Sequence, residues 1–498
     1  MSARMAKRRE PREWRSLCQV MVLRQALVFV LCGGCFAACG GSGGTAPSAP
    51  GLTAGASALA GSGPAGGSGN ARGGAGAPSS AGAATGGNSS SGGASAGSAG
   101  SPSAGGAGSG ASGGASGSAG SADLPLVIPG AGKCTAPSQA RVSDATAAYQ
   151  KWKTELLTSD GAGGFLRVRR PNSNGAQVNS TVSEGVAYGM LLAVYASDQP
   201  TFDKLWQYSQ LWLNSHGLMN WYINAEGTQA LGTGAATDAD EDMAFALVMA
   251  DARWGGGGSL GSSYLTLAKK LIGLIWQYEV DHSRADVLTP GDGFADGSII
   301  NISYFAPAYY RVFGRVTGDA AHWDGVASTS YTVIEKTLNA QNGNAQNGLV
   351  PAWSTPDGTP SAPQGQSQTF HQLDSCRTPF RVAQDYCWFA EPRALAYLQK
   401  INAFYSTIGA SAIVDGYDLN GTPHAQFVMD GGPRAASFVG AAGVAAMASG
   451  ASFSKLRDDA YASVATLTQL AGSTYYQESW TALSLQMMTG TLVDLTAK

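Results

Sequence analysis

Two kinds of apolar segment alternate along residues 143–489. Segments of the first kind carry apolar residues at intervals of three and four, which is typical of helices with one face in water. Segments of the second kind are apolar all round and rich in Gly and Ala, which is typical of buried helices. The amphipathic segments are 143–157, 202–214, 263–279, 329–340, 393–405 and 453–471, and the buried ones are 182–196, 240–254, 304–314, 375–390, 434–448 and 477–489.

Six helices of each kind in strict alternation predict an all-α fold, an (α/α)6 toroid with six inner helices inside a ring of six outer ones. Small residues on the inner helices, such as Gly185, Ala187 and Gly189, let neighbouring helices approach closely. No repeated Val- and Ile-rich strand precedes these helices, which disfavours a β/α barrel. The loops before the inner helices are rich in Gly and aromatic residues, and we expect them to meet at one mouth of the ring.

The start of the chain has the features of an export signal. Residues 1–39 combine a basic beginning with an apolar run that is too short to span a bilayer comfortably. Phe36–Gly40 resembles a bacterial lipoprotein processing site, at which Cys39 would be lipidated; Cys35 is a second candidate, and simple secretion is the alternative. We therefore expect an exported protein, either an outer-membrane or cell-surface lipoprotein or a secreted protein.

Residues 40–123 consist mainly of Gly, Ser and Ala and carry almost no charge. Such a segment buries too little apolar surface to offset its chain entropy, so it predicts a disordered linker. The globular part is then 124–498, long enough for two average domains or for one large closed architecture. Beyond the signal no basic block remains, which argues against nucleic acid as a partner.

Three of the 7 Cys, Cys134, Cys376 and Cys387, lie in the globular part. Cys376 and Cys387 are placed in one predicted helix, roughly 16 Å apart along its axis, so they cannot pair while that helix holds. Cys134 could pair with either. With so few Cys and His residues near one another, a zinc site is not expected. We also expect no cofactor and a monomer.

Four acidic residues, Asp238, Asp240, Glu241 and Asp242, stand where the buried helix 240–254 begins. The positive end of the helix macrodipole explains one or two of them. It does not explain why a buried helix should carry all four. Carboxylates at one mouth of the ring therefore predict a site for a polar, uncharged substrate.

Glu184 lies at the start of another buried segment, 182–196. The spacing Thr181-x-x-Glu184 fits a capping box, which is the competing interpretation. The rest of the segment is small or apolar, so burial would raise the pKa of Glu184 and keep it protonated as a general acid.

Asp374 precedes the buried segment 375–390, with Arg377 three residues later on the same face. A cation and a helix N-terminus both favour the ionised carboxylate that a general base requires. An N-cap with a local ion pair explains these residues equally well. Asp385 is a rival base, but its place three turns into the helix favours a structural role.

Aromatic residues are dense near the predicted mouth. Any one of them is more often a core residue than a ligand platform. Together with carboxyl groups at the starts of helices, they are typical of sites that stack on the apolar faces of sugar rings. A protonated and an ionised carboxyl group facing one another across such a groove is the arrangement that hydrolyses glycosidic bonds.

Several of these motifs follow one another at spacings that resemble glycoside hydrolase family 8, the bacterial endoglucanase-type inverting enzymes. The resemblance covers about 130–490, and it implies the (α/α)6 fold, inversion of the anomeric configuration and no metal. The matching blocks are Ala236–Trp254, Val182–Met190, Tyr304–Tyr310, Asp374-x-x-Arg377 and Tyr475–Tyr476.

The resemblance also implies roles for single residues. Glu184 matches the proton donor, Asp374 the base that activates water, and Asp238 the residue that contacts the sugar at the cleavage point. Among the binding residues, Arg377 would orient Asp374, Trp221 would stack on a glucosyl unit, and Tyr304 and one of Tyr475 and Tyr476 would line the site. Phe294 stands where a sugar-stacking Trp is expected, and Leu373 where an aromatic residue is common, so the resemblance leaves substrate choice open.

The expected function is inverting, endo-acting hydrolysis of β-1,4 bonds in a cellulose-like β-glucan, so the expected partner is a β-1,4-linked polysaccharide. Xylan, mixed-linkage glucan and chitosan are rival substrates for the same chemistry. A hypothesis from another class is a surface polysaccharide-binding lipoprotein that performs no hydrolysis. The intact set of Glu184, Asp238 and Asp374 argues against it, because a pure binder needs no matched acid and base.

Overall fold

The computed structural model describes residues 126, 128–173, 175–293, 297–363, 368–424, 436–467 and 474–497. The expected signal (1–39), with the lipidation of Cys39, the linker 40–123 and Phe294 lie outside the described residues and stay predictions. Within the described ranges, no helix is both long enough and apolar enough to cross a bilayer.

The described part of the chain contains twelve α-helices, which alternate between outer and inner positions as predicted. The outer helices are α1 (Val142–Leu156), α3 (Gln199–Ser209), α5 (Tyr264–Tyr278), α7 (Ala320–Thr337), α9 (Pro392–Ile408) and α11 (Ser454–Leu467). The inner helices are α2 (Ser183–Tyr195), α4 (Thr237–Trp254), α6 (Pro307–Thr317), α8 (Arg377–Phe389), α10 (Ala436–Met447) and α12 (Tyr475–Met488).

The inner helices form a closed ring. Each packs against the next inner helix along the chain, and α12 packs against α2 to complete the circle. Each inner helix also packs against the outer helix that neighbours it in sequence, and α1 covers α12. The molecule is therefore an (α/α)6 barrel, and the predicted fold is confirmed.

Burial follows the two sequence patterns. Every residue of α2 is buried, whereas α1 buries one stripe, with Trp152 at its centre. Close approach of the two layers depends on small inner residues. At Gly189, for example, an added Cβ would lie 2.8 Å from the indole of Trp152 and 2.8 Å from Leu205 Cδ1. The interior of the barrel is thus filled by side chains rather than left as a pore.

Several helix boundaries differ from the sequence prediction. Helix α7 begins at Ala320, nine residues before the predicted start, because Asp324, Gly325 and Ser328, which interrupt the pattern there, are tolerated once the helix packs. Helix α6 begins at Pro307, a favoured first helical residue, and Ile302–Tyr304 forms a separate 3-10 turn. Helix α4 begins at Thr237, which places Asp238 inside its first turn.

Short strands in the loops fix where the inner helices begin. The described residues include β1 (Leu157–Thr158), β2 (Arg167–Val168), β3 (Thr181–Val182), β4 (Tyr222–Ile223), β5 (Ala230–Gly232), β6 (Val280–Asp281), β7 (Val287–Leu288), β8 (Ile300–Asn301), β9 (Trp353–Ser354), β10 (His371–Gln372) and β11 (Gly416–Tyr417). All pairings are antiparallel: β1 with β2, β4 with both β3 and β5, β6 with β7, β8 with β9, and β10 with β11. Strands β3 and β10 lie directly before the segments that carry Glu184 and Asp374.

A disulfide joins Cys134 to Cys387, and Cys376 is a buried free thiol. The prediction that Cys376 and Cys387 do not pair is confirmed, and the open choice for Cys134 is resolved in favour of Cys387. Backbone bonds reinforce the connection, since Gly132 N donates to Cys387 O at 3.0 Å. The disulfide therefore fastens the beginning of the globular part to the end of α8.

Candidate active site

The candidate site lies where the N-terminal ends of four inner helices meet. Glu184 is the second residue of α2, Asp238 the second of α4, Arg377 the first of α8 and Tyr475 the first of α12. Asp374 lies in the 3-10 turn that leads into α8. Because the inner helices form a ring, residues that are far apart in the sequence converge at one mouth.

The guanidinium of Arg377 is the centre of this cluster and is completely buried. Its Nη1 lies 3.2 Å from Glu184 Oε2 and 2.5 Å from Asp238 Oδ2, and its Nη2 lies 3.4 Å from Asp374 Oδ2. Its Cζ lies 4.9 Å from the centre of the Tyr304 ring. One positive charge does not offset three buried negative charges, so the cluster favours a proton on at least one carboxyl group.

Glu184 holds a proton more strongly than Asp374 does. Burial, followed by the charge of Asp238, raises its pKa to about 8, and the opposing effects of Arg377 and of a hydrogen bond from Tyr475 do not reverse the shift. The hydroxyl of Tyr475 donates to Oε1, and that of Tyr188 donates to Oε2 at 3.3 Å. The expectation from the apolar segment, a raised pKa, is confirmed.

The capping-box interpretation of Glu184 is wrong. Helix α2 has Val182 at its N-cap position and no side-chain cap. The hydroxyl of Thr181 donates instead to the carbonyl of Val168 at 2.8 Å. Glu184 is therefore directed into the carboxyl cluster and not towards the helix terminus.

The pKa of Asp374 is higher than the sequence led us to expect. Arg377 and a hydrogen bond from Asn301 lower its pKa, as a base requires, but burial and the charge of Asp238 outweigh them and raise the pKa to about 6. The effect of the cation thus has the expected direction, but burial outweighs it, because the side chain is only 8% exposed. At neutral pH the group is still mostly ionised. Of the competing interpretation, the N-cap is wrong, since Gln372 occupies the N-cap position of this turn, whereas the local ion pair with Arg377 is present.

Of the four acidic residues at the start of α4, only Asp238 contacts Arg377. Glu241 and Asp242 pair with Arg381, at 3.2 and 3.0 Å. Asp240 and Glu279 are both buried, and burial raises both pKa values well above the ordinary range. The charge of Asp292 adds to the shift of Asp240, and the charge of Asp240 adds to that of Glu279. Successive side chains on a helix point in different directions. Of the four, Asp238 alone therefore joins the cluster around Arg377.

The predicted aromatic residues occupy different layers of the site. The half-buried indole of Trp221 lies against Gly232, where an added Cβ would come within 2.3 Å of the ring, and the Trp221 carbonyl accepts a hydrogen bond from the backbone of Ser183. The hydroxyl of Tyr476 donates to Leu373 O at 3.3 Å, directly before Asp374. Both tyrosines of the Tyr475–Tyr476 pair therefore contact this cluster, one at Glu184 and the other at the backbone beside Asp374.

Asp385, the rival base, is buried away from the cluster. It accepts hydrogen bonds from Arg311 Nε at 2.7 Å and from the Tyr331 hydroxyl at 2.6 Å. Both oxygens are engaged, because Arg311 Nη2 also donates to the second one at 3.2 Å. The structural interpretation of Asp385 is confirmed.

Three residues of the site were missed by sequence reasoning. Tyr188 donates to Glu184 and accepts from Arg377 Nη1 at 3.1 Å; its spacing of one helical turn from Glu184 was a usable signal. Asn301 donates to Asp374, and Ser303 accepts from Arg377 Nε at 3.0 Å. Neither has a recognisable sequence signal, since Asn301 ends the two-residue strand β8 and Ser303 lies in a short 3-10 turn between predicted helices.

A helical barrel whose mouth holds one carboxyl group with a pKa near 8 and another with a pKa near 6 defines a class of protein equipped for acid–base chemistry. Within the described residues, no group of three or more His, Cys, Asp or Glu side chains is arranged to hold a metal ion.

Comparison with known proteins identifies the class more closely. The sequence profile of Glycosyl hydrolases family 8 matches residues 131–490, and the chain belongs to that family. Endoglucanase A of Acetivibrio thermocellus is 42% identical over 279 residues, which are 55% of this chain and 56% of the relative. Endoglucanase 2 of Ruminiclostridium josui is 40% identical over 322 residues, which are 64% of this chain and 65% of the relative.

The chain thus spans less than two thirds of the length of these two relatives. A solved structure, the apo form of a β-1,3-1,4-glucanase from Paenibacillus sp. X4, superimposes with a TM-score of 0.64 at 28% identity. The superposition covers 73% of this chain and 97% of the glucanase. It therefore extends over nearly all of that enzyme.

Proposed function

We propose that the protein hydrolyses β-1,4-glycosidic bonds of a cellulose-like β-glucan by an endo-acting, inverting mechanism, with Glu184 as general acid and Asp374 as general base. The observation that carries this proposal is the pair of carboxyl groups that contact the two terminal nitrogens of one guanidinium, with pKa values of about 8 and about 6. Near neutral pH the first group holds a proton to donate, and the second has room for a proton from water.

In this mechanism a water molecule bonds to the anomeric carbon from the face opposite the leaving group. Asp374 takes a proton from that water while Glu184 gives its proton to the leaving oxygen, and the glycosidic C–O bond breaks. Inversion requires the two carboxyl groups to be roughly 6.5–9.5 Å apart, which leaves space for the water. The interposed guanidinium of Arg377 supports such a spacing, because it keeps the two groups from touching.

Asp238 has a third role in the proposal. One of its oxygens is 2.5 Å from Arg377, and the other, Oδ1, is buried without a hydrogen-bond partner among the described residues. A buried acceptor left open in this way suits a hydroxyl of the sugar at the cleavage point. Trp221 and Tyr304 supply ring faces near the same mouth, and we assign them to binding rather than to proton transfer.

The substrate choice is tested by a panel of polysaccharides. The two relatives are named endoglucanases, which favours β-glucan. We expect reducing ends to be released from carboxymethylcellulose faster than from mixed-linkage glucan, xylan or chitosan. NMR of the first products should show the α anomer, since inversion converts a β linkage to an α product. Hydrolysis of xylan alone would refute the substrate assignment, and a β-anomeric first product would refute the mechanism.

The two pKa values also predict a bell-shaped dependence of kcat/KM on pH. Below about pH 6 Asp374 becomes protonated and no longer accepts a proton, and above about pH 8 Glu184 loses the proton it must donate. Activity should therefore be greatest near pH 7. Initial rates at low substrate concentration, from pH 4 to 10, measure both limbs. A maximum below pH 5 would contradict the assignment.

A further inference from the structure

Asn301 and Ser303 form a polar connection between Arg377 and Asp374. Arg377 Nε donates to Ser303 Oγ at 3.0 Å, and Ser303 Oγ donates to Asn301 Oδ1 at 2.7 Å. Asn301 Nδ2 then donates to Asp374 Oδ2 at 3.1 Å. All four side chains are buried, so each contact is protected from competition by water.

These contacts determine the orientation of the Asn301 amide. Its oxygen accepts from both the backbone N–H and the hydroxyl of Ser303, at 3.0 and 2.7 Å. The NH₂ group must therefore face Asp374, because a flipped amide would place oxygen against oxygen. The backbone is held as well, since Asn301 pairs with Trp353 between strands β8 and β9.

The two oxygens of Asp374 are consequently unequal. Oδ2 contacts both Asn301 and Arg377, whereas Oδ1 is buried and has no hydrogen-bond partner among the described residues. The main chain before Asp374 is also constrained. Leu373 has a φ of +30°, which is unusual for a residue with a side chain, and Tyr476 and Asp415 hold its carbonyl and its N–H.

We propose that Asn301 is a positioning residue that commits Asp374 to accept the proton of the attacking water through Oδ1, and that Ser303 holds the Asn301 amide in the orientation this requires. The inference rests on the proposed function, in which Asp374 is the base. In the reacting step the O–H bond of water breaks, its proton passes to Oδ1, and its oxygen bonds to the anomeric carbon. Asn301 itself touches neither the water nor the sugar.

Removal of Asn301 has two consequences for Asp374. The carboxylate becomes free to rotate, so either oxygen can turn towards Arg377 and the open oxygen no longer has a fixed direction. The ionised form also loses a hydrogen bond that stabilises it, which raises the pKa of Asp374 further. A role confined to the stability of the fold would produce neither effect.

The test compares Asn301→Ala with Ser303→Ala in kcat, KM and the pH profile. For Asn301→Ala we expect kcat to fall about 10- to 100-fold, as for other residues that orient a reacting group, with KM changed less than about twofold. The acidic limb of kcat/KM should move to higher pH. Ser303→Ala keeps the backbone hydrogen bond to Asn301, so we expect a smaller fall in kcat and a smaller shift of the acidic limb.

Asn402→Ala is the matched control. Asn402 is an equally buried asparagine on α9, which donates to Ala445 O and Ser449 Oγ, both at 2.9 Å. This substitution should lower the melting temperature and leave the acidic limb where it is. The control separates the loss of a buried amide from the loss of its contact with Asp374.

If the acidic limb of kcat/KM lies at the native pH in both Asn301→Ala and Ser303→Ala, the inference is overturned. If Asn301→Ala does not fold, Ser303→Ala alone is the test, and an acidic limb at the native pH in that variant overturns the inference. Asp374→Asn distinguishes this failure from that of the proposed function. Full activity in Asp374→Asn would refute the base itself, whereas an inactive Asp374→Asn together with unmoved limbs would refute only the role of Asn301.

Discussion

Replacing Glu184 by Gln should lower kcat on carboxymethylcellulose by about 10³-fold and, at neutral pH, make the folded protein more stable. The rate falls because the amide has no proton to donate to the leaving oxygen, and general acid catalysis typically contributes 10²- to 10⁴-fold. The side chain keeps its size, so glucan binding should remain. Reducing-end assays and binding to an immobilised glucan measure the two properties separately.

The gain in stability depends on pH, with a sign set by the raised pKa. In the unfolded chain Glu184 ionises near its ordinary pKa of 4.5, but in the folded protein it keeps its proton up to about pH 8. Between these values the unfolded state releases a proton that the folded state retains, so rising pH destabilises the fold. Gln cannot ionise. The gain should be negligible below pH 4.5 and reach about 3 kcal/mol at pH 7, at ~1.4 kcal/mol per pH unit.

Denaturant unfolding of both proteins at pH 4.5 and pH 7.5 measures this gain. Glu226→Gln is the control, because Glu226 is exposed on a turn and should change neither rate nor stability. A Glu184→Gln protein that retained more than a tenth of the native kcat would exclude Glu184 as the acid. A native protein that bound glucan but released no reducing ends would favour the polysaccharide-binding hypothesis instead.

The fold was predictable because the apolar pattern of a helical segment shows whether the helix is buried or faces water. Segments apolar all round had to lie inside, amphipathic ones outside, and their alternation leaves a double ring as the simplest arrangement. Boundaries were less predictable. Near Asp324 and Gly325 the amphipathic pattern is interrupted, and packing in the barrel extends α7 beyond the predicted start.

The candidate site was predictable at the level of residues but not of contacts. The small and apolar neighbours of Glu184 indicated its burial from local sequence alone. For Asp374 the local sequence showed Arg377 but not the extent of burial or the charge of Asp238, which raise its pKa. The bond from Arg377 to Glu184 joins residues 193 positions apart, a separation that no local pattern reports.

Arg377→Met should be among the most destabilising substitutions in the chain. It leaves Glu184, Asp238 and Asp374 buried without the cation they share, and loss of one partner of a buried ion pair typically costs about 3–5 kcal/mol. The cost should shrink as pH falls, because protonated carboxyl groups need no cation. Denaturant unfolding at pH 5 and pH 8 measures the difference.

Arg381→Met separates the effect on the reaction from the effect on the fold. Arg381 is an equally buried arginine on α8, but it pairs with Glu241 and Asp242 and makes no ion pair with Asp374. Both substitutions should destabilise the protein. Only Arg377→Met should move the acidic limb of kcat/KM to higher pH, because Arg377 lowers the pKa of Asp374. If the acidic limb lies at the same pH in the two variants, Arg377 stabilises the barrel without lowering the pKa of the proposed base.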